Sequence, residues 1–497
     1  MYQLSPPTIA AIIIGYFLLL IGISLWTSRG ANTHTFFTSD RNSSWIMVAI
    51  GMIGASLSGV TFISIPGKVG AGGYNQAFSY MQMVLGYLIG YAVIATVLMP
   101  LYYRLGLVSI YEYLRDRFGA NAHRTGAFYF ILSRVVGASL RLFLVAVVLQ
   151  QILMDGYGIP FPVTVLITIA LIWVYTFSGG IKTIVVTDTL QTVCMLSAVT
   201  LTIYYIGDAM NLDVHGIIAT IRDSELSKMW YTDIGWNDPN NLWKQLISGA
   251  LIALAMTGLD QDMMQKNLTC RSISDAQKNM FTFSIVLVFA NLLFLSLGAL
   301  LYIYADYAAV TLPEKSDQLY PLIALGHMPP VVGVAFLLGL IAAAYSSADS
   351  ALTSLTSSFC IDFLGFEQDG QRTEAKKKSL RLQVHIGFSI LLFLVVVVTN
   401  MLDAGAIINE IFKAASYTYG PLLGLFTFGI LTRRSIRDSL VIPICIISPI
   451  ICYLLVLYID VLLGGFQFGS TIIALNALLT ILGLWSISSP PQTTNDA

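Results

Sequence analysis

Stretches of about 20 apolar residues recur along the whole sequence, and few folds can accommodate them. A helix of that length spans the hydrocarbon core of a bilayer and satisfies its own backbone hydrogen bonds. About thirteen such segments can be distinguished: residues 8–27, 45–66, 77–102, 126–154, 162–178, 183–206, 243–262, 280–305, 331–362, 381–400, 406–431, 438–459 and 468–486. The chain is therefore predicted to be an all-α polytopic membrane protein.

The composition agrees and excludes several functions. Of 497 residues, 56% are hydrophobic and 11% are charged, whereas soluble domains have about 25% charged residues. A net charge of −1 offers no basic surface for nucleic acid. We find no P-loop, histidine cluster, nucleophile elbow or pair of catalytic carboxylates, so we expect neither an ATP-driven pump nor an enzyme and assign no catalytic residues. The five scattered cysteines are expected to be core residues.

The distribution of basic residues predicts the orientation. The first segment has Arg29 just after it and no basic residue before it, the reverse of a signal peptide. If the N-terminus is outside, alternating segments place most arginines and lysines on the inside. We predict a cell-membrane protein with an outside N-terminus and a cytoplasmic C-terminus. One transporter domain covers residues 1–490, and residues 491–497 form a disordered tail.

The segment AAAYSSADSALTSLTSS, at Ala342–Ser358, is unusually polar for a membrane helix. A carboxylate at that depth should face a cavity, a partner or an ion. Hydroxyl and carboxylate oxygens suit a small cation such as sodium. Alternatively, the hydroxylated residues only allow close helix packing and bond to their own backbone. One helical face carries Ala343, Ser346, Ser347 and Ser350, with Asp349 beside it.

A second informative stretch, Gly51–Tyr74, combines glycines, hydroxyls and a proline, which weaken a continuous helix. A break at membrane depth frees carbonyls that line a cavity or bind an ion. The alternative is a kinked packing helix. Gly54 and Leu57 would offer backbone oxygens. Side-chain hydrogen bonds to a polar solute would come from Ser56, Ser58 and Thr61.

Arg134 and Arg141 lie seven residues apart on one face of segment 126–154. Arg134 can snorkel toward the inner surface, whereas Arg141 is near the middle of the segment. A buried guanidinium needs a carboxylate, either that of a substrate or that of Asp188 or Asp349.

Further polar groups lie near the inner ends of other segments. Asp188 lies several residues into the membrane, and a second intramembrane carboxylate makes a cation site more credible. The stretch GLDQDMMQK at Gly258–Lys266 could gate the inner mouth, but we expect its polar residues to form a solvated helix end. These residues are Asp260, Gln261, Asp262 and Gln265.

Several motifs resemble the sodium/solute symporter family, which includes sodium–glucose, sodium–proline and sodium–sialic acid cotransporters. They are SGGIKTIVVTDTLQ at Ser178–Gln191, SSADSALTSLTSS at Ser346–Ser358, and Asp260–Gln261 followed by Gln265–Lys266. The resemblance extends over nearly the whole chain, as far as the helix ending near Arg433. It implies a LeuT-type fold with a peripheral helix at 8–27, inverted repeats at 45–206 and 243–431, and C-terminal helices at 438–486.

The resemblance also implies ion sites, with sodium as the coupling ion and two ions expected. The main sodium site would use backbone oxygens and hydroxyls of Gly54, Leu57, Ala343, Ser346 and Ser347. A second sodium site, present in some members, would use Asp188, Ser346 and Ser350, with Asp349 able to join it. Protons carried by the two carboxylates remain an alternative.

For the solute, the site residues resemble most the sialic acid branch, in which hydroxyls and an arginine bind the substrate carboxylate. The matching positions are Ser56, Ser58, Thr61 and Arg141, and Gln82 is expected to complete the set. The sequence thus predicts a sodium-coupled symporter that imports a small polar solute, a carboxylate such as sialic acid, and functions as a monomer. A neutral sugar symporter and a membrane sensor that does not transport remain alternatives.

Overall fold

The computed structural model describes residues 4–27, 43–176, 180–366, 372–402, 407–464 and 466–490. The predicted disordered tail 491–497, Arg29 and the first two residues of the motif at Ser178–Gln191 lie outside this range. A short antiparallel ribbon pairs β1 (Ser435–Ile436) with β2 (Ser488–Ser489).

Helices make up nearly all of the described chain. In order they are α1 Pro6–Thr27, α2 Trp45–Ser56, α3 Gly59–Lys68, α4 Tyr80–Val93, α5 Met99–Leu105, α6 Glu112–Arg117, α7 Ala120–Leu149, α8 Phe161–Thr176, α9 Gly180–Ala209, α10 Val214–Arg222, α11 Leu242–Ala253, α12 Gln261–Asn267, α13 Ile273–Tyr307, α14 Leu319–Gly326, α15 Pro330–Ser358, α16 Glu374–Asn400, α17 Ile407–Leu431, α18 Val441–Leu457, α19 Ile459–Leu463 and α20 Ile472–Ser486.

Each predicted apolar segment contains a helix. Within the described residues, nine helical stretches are long and apolar enough to cross a membrane alone, and two bent pairs raise this number to 11. The two other predicted segments, 162–178 and 406–431, contain α8 and α17. The all-α membrane fold is therefore confirmed, and the division into two repeats stays a prediction.

The first bent pair, α2 and α3, meets at 54° where the glycine and hydroxyl pattern predicted a break. The amide of Leu57 still donates to Ile53 (2.8 Å), and the amide of Phe62 donates to Ser58 (3.0 Å). Between these two bonds, the carbonyls of residues 54–57 accept no backbone hydrogen bond from the following turn in the described chain. They are thus available to a ligand, as is typical of discontinuous transporter helices.

The second bent pair joins α11 to α12 at 70°, after a π-helical turn at Leu254–Gly258. Asp260 caps the new helix, because its Oδ1 accepts hydrogen bonds from the amides of Asp262 (3.0 Å) and Met263 (3.3 Å). All seven residues of α12 are buried. At this break, the free amides at the start of α12 are therefore bonded to a side chain of the protein itself.

Helix α15 lies at the centre of the protein. Of its most apolar window, 78% is buried, compared with 28% for α1 and 22% for the span that contains α18. Every residue from Gly339 to Ser358 is buried. The helix contacts α2, α3, α7, α9 and α12, so its polar residues face other helices and not lipid.

Candidate cation and solute sites

A cavity of about 100 Å³ lies beside the first helix break, between α2, α3, α4, α7, α11 and α17. Four of the residues that the sequence assigned to solute binding line this cavity. They are Ser56 on α2, Ser58 at the break, Thr61 on α3 and Arg141 on α7. Hydroxyls and a guanidinium therefore face one space. Such a set can hydrogen-bond a polar solute and bind a carboxylate.

The two arginines of α7 have different surroundings. Arg134 does not snorkel to the inner surface, because it is buried and its Nη2 donates to Asp262 on α12. Arg141 makes no ion pair within the described residues, and its buried Nε lacks a hydrogen-bond partner there. The alternative that Arg141 pairs with Asp188 is not observed, because that carboxylate binds Lys266.

The sequence reasoning missed three tyrosines that line the cavity. Tyr80, Tyr87 and Tyr91 lie on one face of α4, and the hydroxyls of the first two are 3.0 Å apart. Their spacing of seven and four residues places them on one helical stripe. That spacing was a signal available in the sequence. Asn291 of α13 adds an amide to the same cavity, and nothing in its sequence context marks it.

Gln82 is not one of the residues that line the cavity. It is fully buried, and its amide nitrogen donates to the carbonyl of Asn240 (2.9 Å). Its Oε1 accepts a hydrogen bond from the amide of Tyr231 (3.1 Å). In the structure, Gln82 thus binds the long loop before α11 and connects that loop to the start of α4.

The hydroxyls of α15 fall into two groups. Near the C-terminal end of the helix, some hydroxyls bond to their own backbone, as Ser354 does to Ala351 (3.1 Å) and Thr356 to Leu352 (2.6 Å). For these residues the packing interpretation holds. The hydroxyls of Ser347, Ser350 and Thr353 are different, because they are buried and have no hydrogen-bond partner among the described residues. An orphaned buried hydroxyl fits a position that binds an ion.

The first break lies against the helices that carry these hydroxyls. A Cβ built on Gly54 would lie 3.0 Å from the carbonyl oxygen of Asp188 on α9. A Cβ built on Gly59, at the start of α3, would lie 3.9 Å from the amide of Ala344 on α15. The elements that carry Gly54, Leu57, Ala343, Ser346 and Ser347 therefore meet, and this donor set of neutral oxygens fits a sodium ion.

The proposed second sodium site is built differently. The hydroxyl of Ser346 donates to Oδ1 of Asp188 (2.6 Å), so these two residues meet as expected. The Nζ of Lys266 donates to Oδ2 of the same carboxylate (2.8 Å). Both oxygens of Asp188 are thus engaged by the chain, and the site as it stands does not fit a sodium ion. The Oδ1 of Asp349 accepts from the amide of Ser350 (2.5 Å).

Comparison with known proteins identifies the family. The model of the sodium:solute symporter family matches residues 36–438. The chain belongs to this family. It is a sodium-coupled secondary transporter of the membrane and not an enzyme.

Individual relatives of this symporter transport different solutes. It is 26% identical over 446 residues to the human sodium/iodide cotransporter, covering 85% of this chain and 66% of the relative. It is 24% identical to the sodium/sialic acid symporter SiaT of Proteus mirabilis, covering 88% and 87%. The identity to the sodium/sialic acid symporter NanT of Aliivibrio fischeri is also 24%, covering 85% and 82%.

Solved structures show the fold. A substrate-bound, outward-open sodium-coupled sialic acid symporter superposes with a TM-score of 0.81 at 20% identity, covering 96% of both chains. The nucleobase-cation-symport transporter Mhp1, in a closed conformation, gives a TM-score of 0.58 at 13% identity, covering 91% of this chain and 94% of that one. The symporter therefore has the predicted LeuT-type fold.

The second helix break corrects one expectation. The polar residues after the second break were predicted to form a solvated helix end, and this is wrong, because all are at most 4% exposed. The 70° bend turns them into the interior, where partners compensate their charges. Tyr419 donates to Oδ2 of Asp260 (2.5 Å), and the side chain of Gln261 binds backbone groups of Val108 and Ile110. The residues concerned are Asp260, Gln261, Asp262 and Gln265.

Proposed function

We propose that this symporter imports a small organic anion that carries a carboxylate, with sialic acid as the lead candidate. The single observation that carries the proposal is Arg141, a half-buried arginine in the wall of the cavity whose Nε is buried without a partner and which makes no ion pair in the described chain. A buried cation is stable only with a counter-charge. A solute carboxylate can supply that charge through two parallel hydrogen bonds.

The rest of the cavity suits a polyhydroxylated body. Ser58 and Thr61 offer hydroxyls on one side, and Asn291 offers an amide from α13. The three tyrosines of α4 offer aromatic faces and hydroxyls for a ring. These groups support an acidic sugar better than a small inorganic anion, because an inorganic anion uses only the cationic group.

Sodium couples to this cavity through the first helix break. An ion held by the carbonyls of Gly54 and Leu57, the carbonyl of Ala343 and the hydroxyls of Ser346 and Ser347 links α2 and α3 to α15. Because Ser56 and Ser58 flank the same break, fixing the break also orders the solute groups. Sodium thereby favours the conformation that binds solute, through its differential affinity for the two states.

Import then proceeds by alternating access around a fixed site. On the outer side, the loop before α11 closes over α4 through Gln82. On the inner side, the ion pair of Arg134 with Asp262 holds α12 against α7. An inside-negative potential contributes about 2.3 kcal/mol per charge per 100 mV to sodium entry. The outside N-terminus, cytoplasmic C-terminus and monomeric state belong to the same proposal.

The test is thermal stabilisation of the purified protein by a panel of sugars, amino acids and carboxylates that includes sialic acid. Each solute is measured in sodium and in choline. We expect stabilisation by a carboxylate in sodium alone, lost in Arg141→Ala. Stabilisation by a neutral sugar that Arg141→Ala retains would contradict the anion proposal. Absence of any sodium effect would contradict sodium coupling through the first break and point to protons or to a sensor.

A further inference from the structure

Lys266 occupies the position where the second cation was expected. Its Nζ lies 2.8 Å from Oδ2 of Asp188, and the two side chains are 1% and 0% exposed. Ser346 holds the other carboxylate oxygen at 2.6 Å. The carboxylate therefore already has an ammonium and a hydroxyl as ligands, both supplied by the chain.

The backbone that carries Lys266 is anchored on several sides. Thr269 donates its hydroxyl to the carbonyl of Lys266 (2.7 Å). The next residue, Asn267, accepts a side-chain hydrogen bond from Asn279 (2.6 Å), and its carbonyl accepts from Tyr103 (2.9 Å). The end of α12 is thus fixed against α5 and α13. These contacts fix the backbone from which the ammonium of Lys266 reaches Asp188.

A sodium ion and this ammonium compete for the same carboxylate. Two cations on one buried carboxylate repel each other strongly, because the interior screens charge poorly. Of the other carboxylates nearby, Asp262 is paired with Arg134. Removing Lys266 from Asp188 would leave a buried ammonium, which is unfavourable.

We propose that Lys266 is a tethered cation that takes the place of a second sodium ion, so that this symporter binds one sodium per cycle at the main site. The inference rests on the proposed sodium coupling and specifies its ion count. The ammonium does what a bound ion would do there, because it joins α12, the inner half of the second broken helix, to α9 and α15. Unlike a free ion, it is neither released nor transported.

The experiment counts sodium ions by linkage, with sodium alone as the probe and choline as the balancing cation. When only the folded state binds an ion, the logarithm of the folding equilibrium constant rises with the logarithm of sodium concentration, and at sodium concentrations well above the dissociation constant the slope is the number of ions bound. The full chain is purified and its stability is followed across the sodium series. We expect a slope near one for the unaltered protein and near two for Lys266→Met.

Two controls separate charge from side-chain volume. Lys266→Arg keeps the tethered charge, so its slope should stay near one. The double variant Asp188→Asn with Lys266→Met removes both charges, so its slope should also return to one. If Lys266→Met alone fails to fold, the double variant still tests the inference. In that case the unaltered protein and the double variant should give the same slope.

The outcomes distinguish this inference from the proposed function. A slope near two in the unaltered protein overturns the inference and leaves sodium coupling intact. A slope that stays near one in folded Lys266→Met also overturns it, because the lysine is then not what excludes the second ion. A slope of zero in the unaltered protein overturns the proposed sodium coupling itself.

Discussion

The region around the second helix break and the region around the cavity and first break differ in how polar groups are satisfied. Around the second break, charges are paired within the chain, as in Lys266 with Asp188 and Arg134 with Asp262. Around the cavity and the first break, the hydroxyl of Ser347 and Nε of Arg141 have no hydrogen-bond partner among the described residues. The polar atoms concerned are buried in both regions, so burial of an atom alone does not distinguish a structural polar group from a binding one.

The difference has a physical consequence for mutagenesis. A paired group stabilises the fold whether or not a ligand is present, because its removal strands its partner. A group without a protein partner has only an ion or solute to bind, so its removal should weaken binding and leave the fold intact. Stability without ligand and affinity for ligand therefore report on different regions.

The largest expected effect comes from breaking a buried pair. Asp188→Asn leaves the ammonium of Lys266 without its counter-charge, so the free energy of unfolding should fall by about 3–5 kcal/mol. Thermal unfolding in choline, without solute, measures this. The control is Asp223→Asn, in the exposed pair with Arg222, which should leave the melting temperature unchanged. Equal effects of the two substitutions would contradict the comparison.

Removal of an unpartnered hydroxyl should instead weaken sodium binding. For Ser347→Ala we expect sodium half-saturation to rise about 10- to 100-fold, because a hydrogen-bonding group facing a charge is worth about 1.5–3 kcal/mol. Sodium-dependent stabilisation and solute uptake measure it. Ser354→Ala is the matched control on the same helix, since that hydroxyl bonds only to Ala351 in the described chain. If both variants shift sodium affinity alike, the main site is wrongly placed.

Substitution of Arg141 should weaken solute binding more than sodium binding. Arg141→Ala should weaken binding of a carboxylate solute about 10- to 100-fold, because a charge-assisted, bidentate contact is lost. Arg141→Lys should recover part of that loss, since it keeps the charge without the fork geometry. Isothermal titration with the solute at saturating sodium measures both. A larger loss in sodium binding than in solute binding would argue that Arg141 belongs to the ion site.

The smallest expected effect is at the loop before α11, which Gln82 binds. Gln82→Ala removes the bonds to Asn240 and Tyr231 and should lower stability by about 1–3 kcal/mol, with less than about tenfold change in solute affinity. Thermal unfolding and solute titration give the two values. If Gln82→Ala lost as much solute affinity as Arg141→Ala, Gln82 would have to be counted among the residues that bind the solute.

Much of the site followed from local sequence patterns. The break between Gly54 and Gly59, the hydroxyl stripe of α15 and the intramembrane Asp188 were all found from composition, helical periodicity and the rule that charge is rare in lipid. Those properties depend on neighbours within one helix turn. Local patterns also marked Ser56, Ser58, Thr61 and Arg141 as candidates, but only the family resemblance grouped them in one solute site, because no local pattern connects their segments.

What the sequence determined by itself is the membrane class, the helices and the positions where polar groups interrupt them, because hydropathy and backbone preference are local. The tertiary structure alone decided which polar group meets which. Lys266 and Asp188 are 78 residues apart, and only the 70° bend after α11 brings the lysine to the carboxylate. The same bend buried Asp260 and its neighbours. Pairing of buried charges is a property of packed helices, and it determines which groups remain for ions and solute.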